Sequence, residues 1–257
     1  MSGASGSGTP RLPLGTRAAI FLRLLAIQGS WNYESLLGNG VGFCIEPALR
    51  LLPGGIHGQA FKSALARESR YFNAHPYLAA IAVGALARAE LDGEAPERIE
   101  RFRTALCGPL GSVGDRLVWA GWLPLCSLAS LAIFGLGAGT LAVVGFFLVA
   151  YNAGHFALRV WGLETGWRHG LRVAAALGNP VFRRGPQEIG RLAAVATGIA
   201  IPLALGRVIG PGRSLMGIVL VAVALGSLAI VRLQRRIEGW RLSLVVLALF
   251  VLISVIH

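Results

Sequence analysis

Long apolar stretches dominate the second half of the chain and predict membrane-spanning helices. Five runs each approach the roughly 17–25 consecutive apolar residues that a spanning helix needs. The runs are Leu117–Phe134, Leu141–Ala157, Leu192–Leu205, Leu215–Val231 and Leu242–Ile256. Glycines separate the first run from the second and predict a turn there, whereas Pro202 interrupts the third run.

The N-terminal part has a different pattern. Residues 1–12 are rich in glycine and serine and are predicted to form a disordered tail. Over residues 13–28 apolar side chains recur at helical spacing, with Arg17 and Arg23 on other faces, so an amphipathic helix is expected. Such a helix either lies along the cytoplasmic membrane surface or packs against the rest of the protein.

Residues 29–116 contain two apolar segments, 31–52 and 71–91, that glycine, proline and polar residues break. The pattern predicts re-entrant hairpins or broken helices, the elements that line transport sites in membrane proteins. A cytoplasmic helical subdomain packed through small residues is the alternative. The polar stretch from Leu91 to Arg103 is expected to be a solvated connection.

Composition supports membrane insertion. The 257 residues are 54% hydrophobic and 14% charged, whereas a soluble domain has about 25% charged residues. The mean hydropathy is +0.64. The sequence therefore predicts an all-α integral membrane protein with about five transmembrane helices within 117–257, two re-entrant or broken helical hairpins and an N-terminal amphipathic helix.

The net charge of +12 comes almost entirely from arginine, and Lys62 is the single lysine. These arginines lie between the apolar runs, as the positive-inside rule requires, so the charge indicates cytoplasmic loops and not nucleic-acid binding. Tracing the runs from those loops places His257 on the outer face. The three cysteines lack the spacing of a disulfide framework or a zinc site, and no metal or cofactor is expected.

Three polar segments, residues 30–34, 71–76 and 107–115, interrupt the apolar pattern and supply candidate binding residues; we call them the polar islands. A sugar is held by carboxylates and carboxamides that bridge its hydroxyls and by an aromatic face against its C–H side. The candidates for substrate binding are Trp31, Asn32, Glu34, Asn73 and His75. The candidates for shaping the cavity are Gly108, Pro109, Gly111, Gly114 and Asp115.

Structural roles are open for the same residues. Trp31 could anchor at the membrane interface, Asn73 could cap a helix or complete a turn, and His75 could bond the backbone. Asp115 could cap the helix that follows it. Glu46, an acid inside an apolar stretch, requires a partner. The catalytic motifs GxSxG, HExxH, CxxC and the P-loop do not occur in the sequence, which argues against a membrane enzyme.

In order and spacing, the segments SWNYE, FNAHP and GPLGSVGD resemble the IID membrane subunit of mannose-type sugar phosphotransferase systems. The resemblance covers nearly all of the chain after about residue 25 and rests on three ordered motifs. It departs from the family pattern at Arg103, where lysine is usual, and at Glu46, where an apolar residue is usual.

The resemblance implies a bacterial inner-membrane permease subunit that is not catalytic alone. Such a subunit pairs with a IIC membrane subunit, usually in a trimer of IIC–IID heterodimers, and a cytoplasmic IIAB protein phosphorylates the hexose-like sugar as it is delivered. Sugar contacts would fall on Asn32, Glu34 and Asn73, while Asp115 would organise the cavity. A regulatory homologue that has lost transport and recruits phosphotransferase proteins is the alternative.

Overall fold

The computed structural model describes residues 12–173, residue 178, residues 180–209 and the single positions 221 and 225. The predicted tail at 1–12 therefore lies outside the described residues except for Leu12. Helices make up the regular structure of the described part, and its extended pairing is confined to isolated bridges at Asn32–Leu36 and Leu36–Phe72. The helices are α1 (Leu14–Leu24), α2 (Gly38–Leu49), α3 (Gln59–Glu68), α4 (Ala79–Leu91), α5 (Pro96–Leu106), α6 (Pro109–Gly114), α7 (Leu123–Gly135), α8 (Thr140–His169) and α9 (Pro180–Ile209).

Short non-α turns complete the chain path. Residues Gly55–His57 and Gly170–Arg172 form 3₁₀ turns. An eight-residue π-helical stretch, Asp115–Trp122, joins α6 to α7. The chain from Pro109 to Gly135 is consequently helical throughout, although its geometry changes in the middle.

The predicted N-terminal amphipathic helix is present as α1, which ends at Leu24. Its buried face carries Ile20 and Leu24, whose side chains pack into the core. Leu14 and Leu22 are 83% and 65% exposed. The helix thus packs against the protein with one face and still presents leucines on another, so both expected roles remain compatible with its structure.

Helix α4 lies at the centre of the core and packs along the C-terminal half of α8. Eleven of its thirteen residues are buried. The two helices run in the same direction, since Tyr77 just before α4 meets Tyr151 and Arg88 near its end meets Trp167. A side chain at Gly84 or Gly166 would overlap backbone of the opposite helix, so small residues allow this close approach.

Three described helices are long and apolar enough to cross a membrane: Pro96–Gly135, Thr140–Arg172 and Arg184–Val208. They contain the first three predicted runs, and the predicted glycine turn falls between α7 and α8, where Gly137 has a φ of 103°. Helix α9 continues through Pro202 without ending there. The predicted spans Leu215–Val231 and Leu242–Ile256 lie outside the described residues, apart from positions 221 and 225.

The broken segments become loops followed by helices. Residues 31–52 contain α2, and residues 71–91 contain α4; neither segment supplies one of the three candidate spans. Their entry into the membrane stays a prediction. The stretch Leu91–Arg103 is mostly exposed, as a solvated connection would be, but from Pro96 it forms helix α5, which buries Ile99 and Arg103. Its many charges lie around one narrow buried stripe.

Candidate functional site

The three polar islands lie side by side, joined by hydrogen bonds between their backbones. The amide of Leu37 donates to the carbonyl of Phe72 at 3.0 Å, and the amide of Phe72 donates to the carbonyl of Ser35 at 3.1 Å. The second and third islands are joined where Gly108 donates to the carbonyl of Asn73 at 3.3 Å. We call residues 31–36, 71–76 and 107–115 the polar loop cluster; its third segment, which we call the third loop, includes the short helix α6.

Asn32 shapes the first loop with its carboxamide. Its Oδ1 accepts hydrogen bonds from the amides of Glu34 and Ser35, both at 2.9 Å. Its Nδ2 donates to the carbonyl of Ser30 at 3.2 Å and to Oγ of Ser35 at 2.9 Å. Both donors and two acceptor positions are thus occupied within the loop, which is the pattern of an Asx turn.

The residues on either side of Asn32 expose their side chains to solvent. Trp31 is 46% exposed and Tyr33 is 88% exposed, and their rings meet edge to face with centroids 4.9 Å apart. Glu34 is exposed beside them, and its carboxylate makes no hydrogen bond or ion pair within the described residues. The first loop therefore offers an exposed aromatic pair next to an unpaired acid.

In the second loop, two candidates that are two residues apart face opposite environments. Asn73 is exposed, whereas His75 is 1% exposed. Nδ1 of His75 accepts the amide of Tyr77 at 3.2 Å, and its ring meets those of Tyr77 and Trp119 at 4.9 Å and 5.1 Å. Its Nε2 is buried and has no hydrogen-bond partner among the residues described.

This environment keeps His75 neutral. Burial lowers the pKa of His75 to about 4, and the positive charge of Arg159 acts in the same direction. At neutral pH the imidazole is thus an uncharged part of the packed interior. Of the roles considered for His75, the hydrogen bond to backbone is the one the structure contains, and it places the ring behind the exposed face of the cluster.

Glycines allow the third loop to pack closely on the second. Gly108 has a φ of 83°, in the region that favours glycine, and Pro109 then begins α6. A side chain at Gly114 would overlap that of His75, and a Cβ at Gly111 would lie 4.0 Å from Oδ1 of Asn73. The glycine positions are therefore part of the contact between the second and third loops.

Asp115 lies at the exposed end of the third loop, where it begins the π-helical stretch. No side-chain hydrogen bond caps that stretch. The carboxylate of Asp115 and the carboxamide of Asn73 make no hydrogen bond or ion pair in the part of the chain that is described. Together with Glu34, they give the cluster two carboxylates and one carboxamide that are exposed and unpaired.

A buried charge network supports the second loop from behind. Arg103 donates to the carbonyls of Tyr71 at 2.9 Å and Glu68 at 3.1 Å, and also to that of Arg70. Its Nε lies 3.3 Å from the fully buried carboxylate of Glu68. Arg103 thereby satisfies the last carbonyl of α3 and two carbonyls beyond it, which fixes the chain where it enters the second loop.

Glu90 and Glu46 have partners of the same kind. Arg67 forms a two-pronged ion pair with Glu90, at 2.7–2.9 Å. Glu46 accepts from Arg23 at 2.7 Å and from Arg50 at 2.6 Å. The prediction that Glu46 requires a partner is confirmed, and the partners give this acid a structural role.

Sequence reasoning missed Arg159, which is 2% exposed in the C-terminal half of α8. Its guanidinium donates to the carbonyl of Leu24 at the end of α1 and, through Nε, to Nε2 of His155 at 2.8 Å. It also lies 4.7 Å from the centroid of the Tyr77 ring. The signal in the sequence was an arginine two residues after an apolar run, a placement that is costly without such partners.

Three long apolar helices, together with a cluster of polar loops packed on a buried helical core, define an all-helical integral membrane protein. Among the described residues no group of three or more metal-binding side chains is present. Residues 12–184 match the family model for the IID component of the mannose/fructose/sorbose phosphotransferase system. The chain belongs to this family, as the three motifs of the sequence indicated.

Three similar proteins are themselves described as IID components. The chain is 29% identical to the mannose-specific EIID component of Escherichia coli K12, over 74% of this chain and 70% of the relative. It is 31% identical to the fructose permease IID component of Bacillus subtilis 168, over 74% and 72%. It is 32% identical to the sorbose-specific EIID component of Klebsiella pneumoniae, over 68% and 64%.

Solved structures show the same fold. A chain in the cryo-EM structure of the mannose transporter ManYZ with microcin E492 matches with a TM-score of 0.57 and 21% identity, over 94% of each chain. A second structure, described as a membrane protein, matches with a TM-score of 0.70 and 22% identity, over 96% of each chain. At these identities the likeness concerns the fold.

Proposed function

We propose that this chain is the IID subunit of a bacterial sugar permease that works in the inner membrane with a IIC partner. The pair binds a hexose-like sugar and moves it inward, and a cytoplasmic IIAB protein phosphorylates it. The mannose, fructose and sorbose systems named among the relatives support a sugar of this class. The ManYZ complex supports a paired assembly, which we extend to a trimer of IIC–IID heterodimers with the C-terminus outside.

The observation that carries the proposal is the set of exposed, unpaired polar groups on the polar loop cluster. Glu34 and Asn73 stand on two loops that share backbone hydrogen bonds, and neither side chain is used by the fold. A carboxylate and a carboxamide are suited to sugar hydroxyls, and the exposed ring of Trp31 is suited to a sugar C–H face.

Other residues of the cluster then have supporting roles. Asn32 holds the turn that presents Glu34, and His75 packs behind Asn73 against Gly114. Asp115 begins the π-helical stretch at the edge of the cluster, and we assign to it the role of organising the sugar site. Sugar contact is therefore assigned first to Glu34 and Asn73, and the remaining candidates position these two.

Sugar binding to the purified IIC–IID pair tests the proposal. Glu34→Gln and Asn73→Ala should each weaken affinity about tenfold, because each removes a hydrogen bond to a hydroxyl that is worth roughly 1–3 kcal/mol. Glu188→Gln and Gln59→Ala are the matched controls, since both side chains lie on exposed helix positions outside the cluster.

Unchanged affinity in both Glu34→Gln and Asn73→Ala would remove these residues from the site. A wild-type pair that assembles and recruits the IIAB protein, but binds no sugar in a screen of hexoses by thermal stabilisation, would contradict transport. That result would favour the transport-inactive regulatory homologue.

A further inference from the structure

A concave site lies at the far end of α4 from the polar loop cluster. Its cavity, of about 230 Å³, is bounded by the end of α4, the turn into α5 and the end of α8. We call it the arginine pocket. Its walls carry the polar side chains Arg88, Asp92, Glu94, Arg98, Arg168, His169 and Arg172. A helix of thirteen residues, about 20 Å long, separates this pocket from the polar loop cluster.

The acids of the arginine pocket do not balance its arginines. Asp92 accepts from Arg88 and Glu94 accepts from Arg98, each at 2.6 Å along one helical turn. Both acids are thereby used by their immediate neighbours. Arg172 is exposed and has no hydrogen bond or ion pair within the described ranges. The pocket is left with an excess of positive charge.

Arg168 is paired outside the pocket. Its partner Glu164, at 2.6 Å, also accepts from Arg17 of α1 at 2.7 Å, so that one carboxylate serves two guanidinium groups. The positive excess therefore extends from the pocket towards the amphipathic helix α1. An anion in the pocket would meet a favourable potential from this side as well.

Arg88 gives the pocket an unsatisfied donor. Its side chain is 17% exposed, and its Nε is occupied by Asp92. Its Nη1 is buried and has no hydrogen-bond partner in the described part of the chain. A buried guanidinium nitrogen without an acceptor is unfavourable, so a small shift of the Arg88 side chain towards an anion in the pocket would gain a hydrogen bond.

The carbonyl ends of α4 and α8 both border the pocket and oppose an anion, so its arginines must outweigh them; at the end of α8 two carbonyls are already used. Nδ1 of His169 bonds the carbonyl of Thr165 at 2.8 Å, and the amide of Gly170 bonds the carbonyl of Gly166. The pocket also stands at the end of a helix that is long enough to span the membrane. Where this helix spans the membrane, the arginines at its end lie at the level of the phospholipid headgroups.

We propose that the arginine pocket binds a phosphate-bearing anion. Guanidinium groups pair with two phosphate oxygens at once, and the small volume favours a compact tetrahedral group over a larger organic ligand. The headgroup of an acidic phospholipid and a free phosphate share this chemistry. The site is independent of sugar transport, so neither proposal depends on the other.

The test uses the full-length protein, purified in detergent or placed in lipid nanodiscs. One arm compares inorganic phosphate with chloride at equal ionic strength, by the shift in Tm. The other arm compares phosphatidylglycerol with phosphatidylcholine, by Tm and by lipid retention in native mass spectrometry. We expect phosphate, phosphatidylglycerol or both to raise Tm, and the responding arm identifies the source of the phosphate.

The double variant Arg98→Gln/Arg172→Gln should weaken that binding about tenfold, since it removes one paired and one unpaired arginine from the pocket. Its matched control is Arg101→Gln/Arg191→Gln. The control removes the same total charge, from Arg191 paired with Glu188 and from Arg101, which donates only to a carbonyl.

Loss of binding in the pocket variant but not in the control supports the proposal. Equal loss of binding in both variants would show that only the overall charge matters and would overturn the proposal. A wild-type protein that responds to neither phosphate nor phosphatidylglycerol would also overturn it. The single variant Arg172→Gln guards against misfolding, because the side chain of Arg172 is exposed and unpaired in the described structure. Retained stability with unchanged binding in this variant and the double variant would also overturn the proposal.

Discussion

The buried helical core and the polar loop cluster use their acidic residues in opposite ways. In the core, Glu46, Glu68 and Glu90 each lie within 3.3 Å of an arginine. In the polar loop cluster, Glu34 and Asp115 are exposed and unpaired within the described residues. The same residue type therefore stabilises the fold in one region and remains available to a ligand in the other.

Among the substitutions proposed, Arg103→Ala should destabilise the protein most, because it removes the partner of a buried acid in the core. Arg103→Ala leaves three carbonyls without their donor and Glu68 buried without its counter-charge. Burial raises the pKa of Glu68, so protonation of this acid limits the loss. We expect the free energy of unfolding to fall by about 3 kcal/mol, measured by denaturation in detergent.

Two other variants sharpen the result for Arg103. Arg103→Lys keeps the charge with fewer donors and should lose less stability. Arg101→Ala, at an exposed position on the same helix, should change stability by less than about 0.5 kcal/mol. If Arg101→Ala and Arg103→Ala were equally destabilising, the buried network would not be what holds α5 to the second loop.

The pH dependence of stability tests whether His75 belongs to the core. Its pKa is about 4 in the folded protein, against about 6.5 when unfolded. The unfolded chain binds the proton more readily, so stability is complete above pH 6.5 and falls as the pH is lowered towards 4. Between pH 7.5 and 5 the wild type should lose about 2 kcal/mol more than His75→Gln, in thermal or chemical unfolding. Parallel pH profiles for the two proteins would place His75 in contact with water.

The smallest expected change in stability comes from comparing a paired acid with an unpaired one. Glu46→Gln removes ion pairs with Arg23 and Arg50 and should cost up to about 1 kcal/mol, less at high salt. Glu34→Gln should leave stability within about 0.5 kcal/mol of the wild type at any salt concentration. Thermal unfolding at two salt concentrations measures both. A cost for Glu34→Gln as large as that for Glu46→Gln would mean that Glu34 is part of the fold.

The sequence predicted the features whose signal is local. Long apolar runs marked α7, α8 and α9, and glycines marked the turn before Thr140. The need of Glu46 for a partner was also visible, because an acid in an apolar stretch is costly. Its partner Arg23 is 23 residues away on another helix, a pairing that depends on how α1 packs against α2.

The features that were missed depend on packing between distant segments. Helix α5 was overlooked because one narrow buried stripe with Ile99 is a weak signal among many charges. In the second island, Asn73 faces out and His75 faces in because the third loop packs against it at Gly114. Nothing local to the motif encodes that choice. Helix α9 continues past Pro202, where local reasoning predicts an interruption.

The π-helical stretch Asp115–Trp122 has a consequence for how chain length in this family can vary. Its hydrogen bonds reach one residue further than those of an α-helix, so the stretch holds extra sequence without breaking the helix. Successive α-helical residues are about 100° apart around the axis. Eight π-helical residues turn through about the same angle as seven α-helical residues, so a relative with one residue fewer here would form a regular α-helix with Gly114 still in phase with α7. Homologous chains should therefore tolerate a gap of one residue within this stretch, whereas a gap in the α-helical turns on either side would shift the phase.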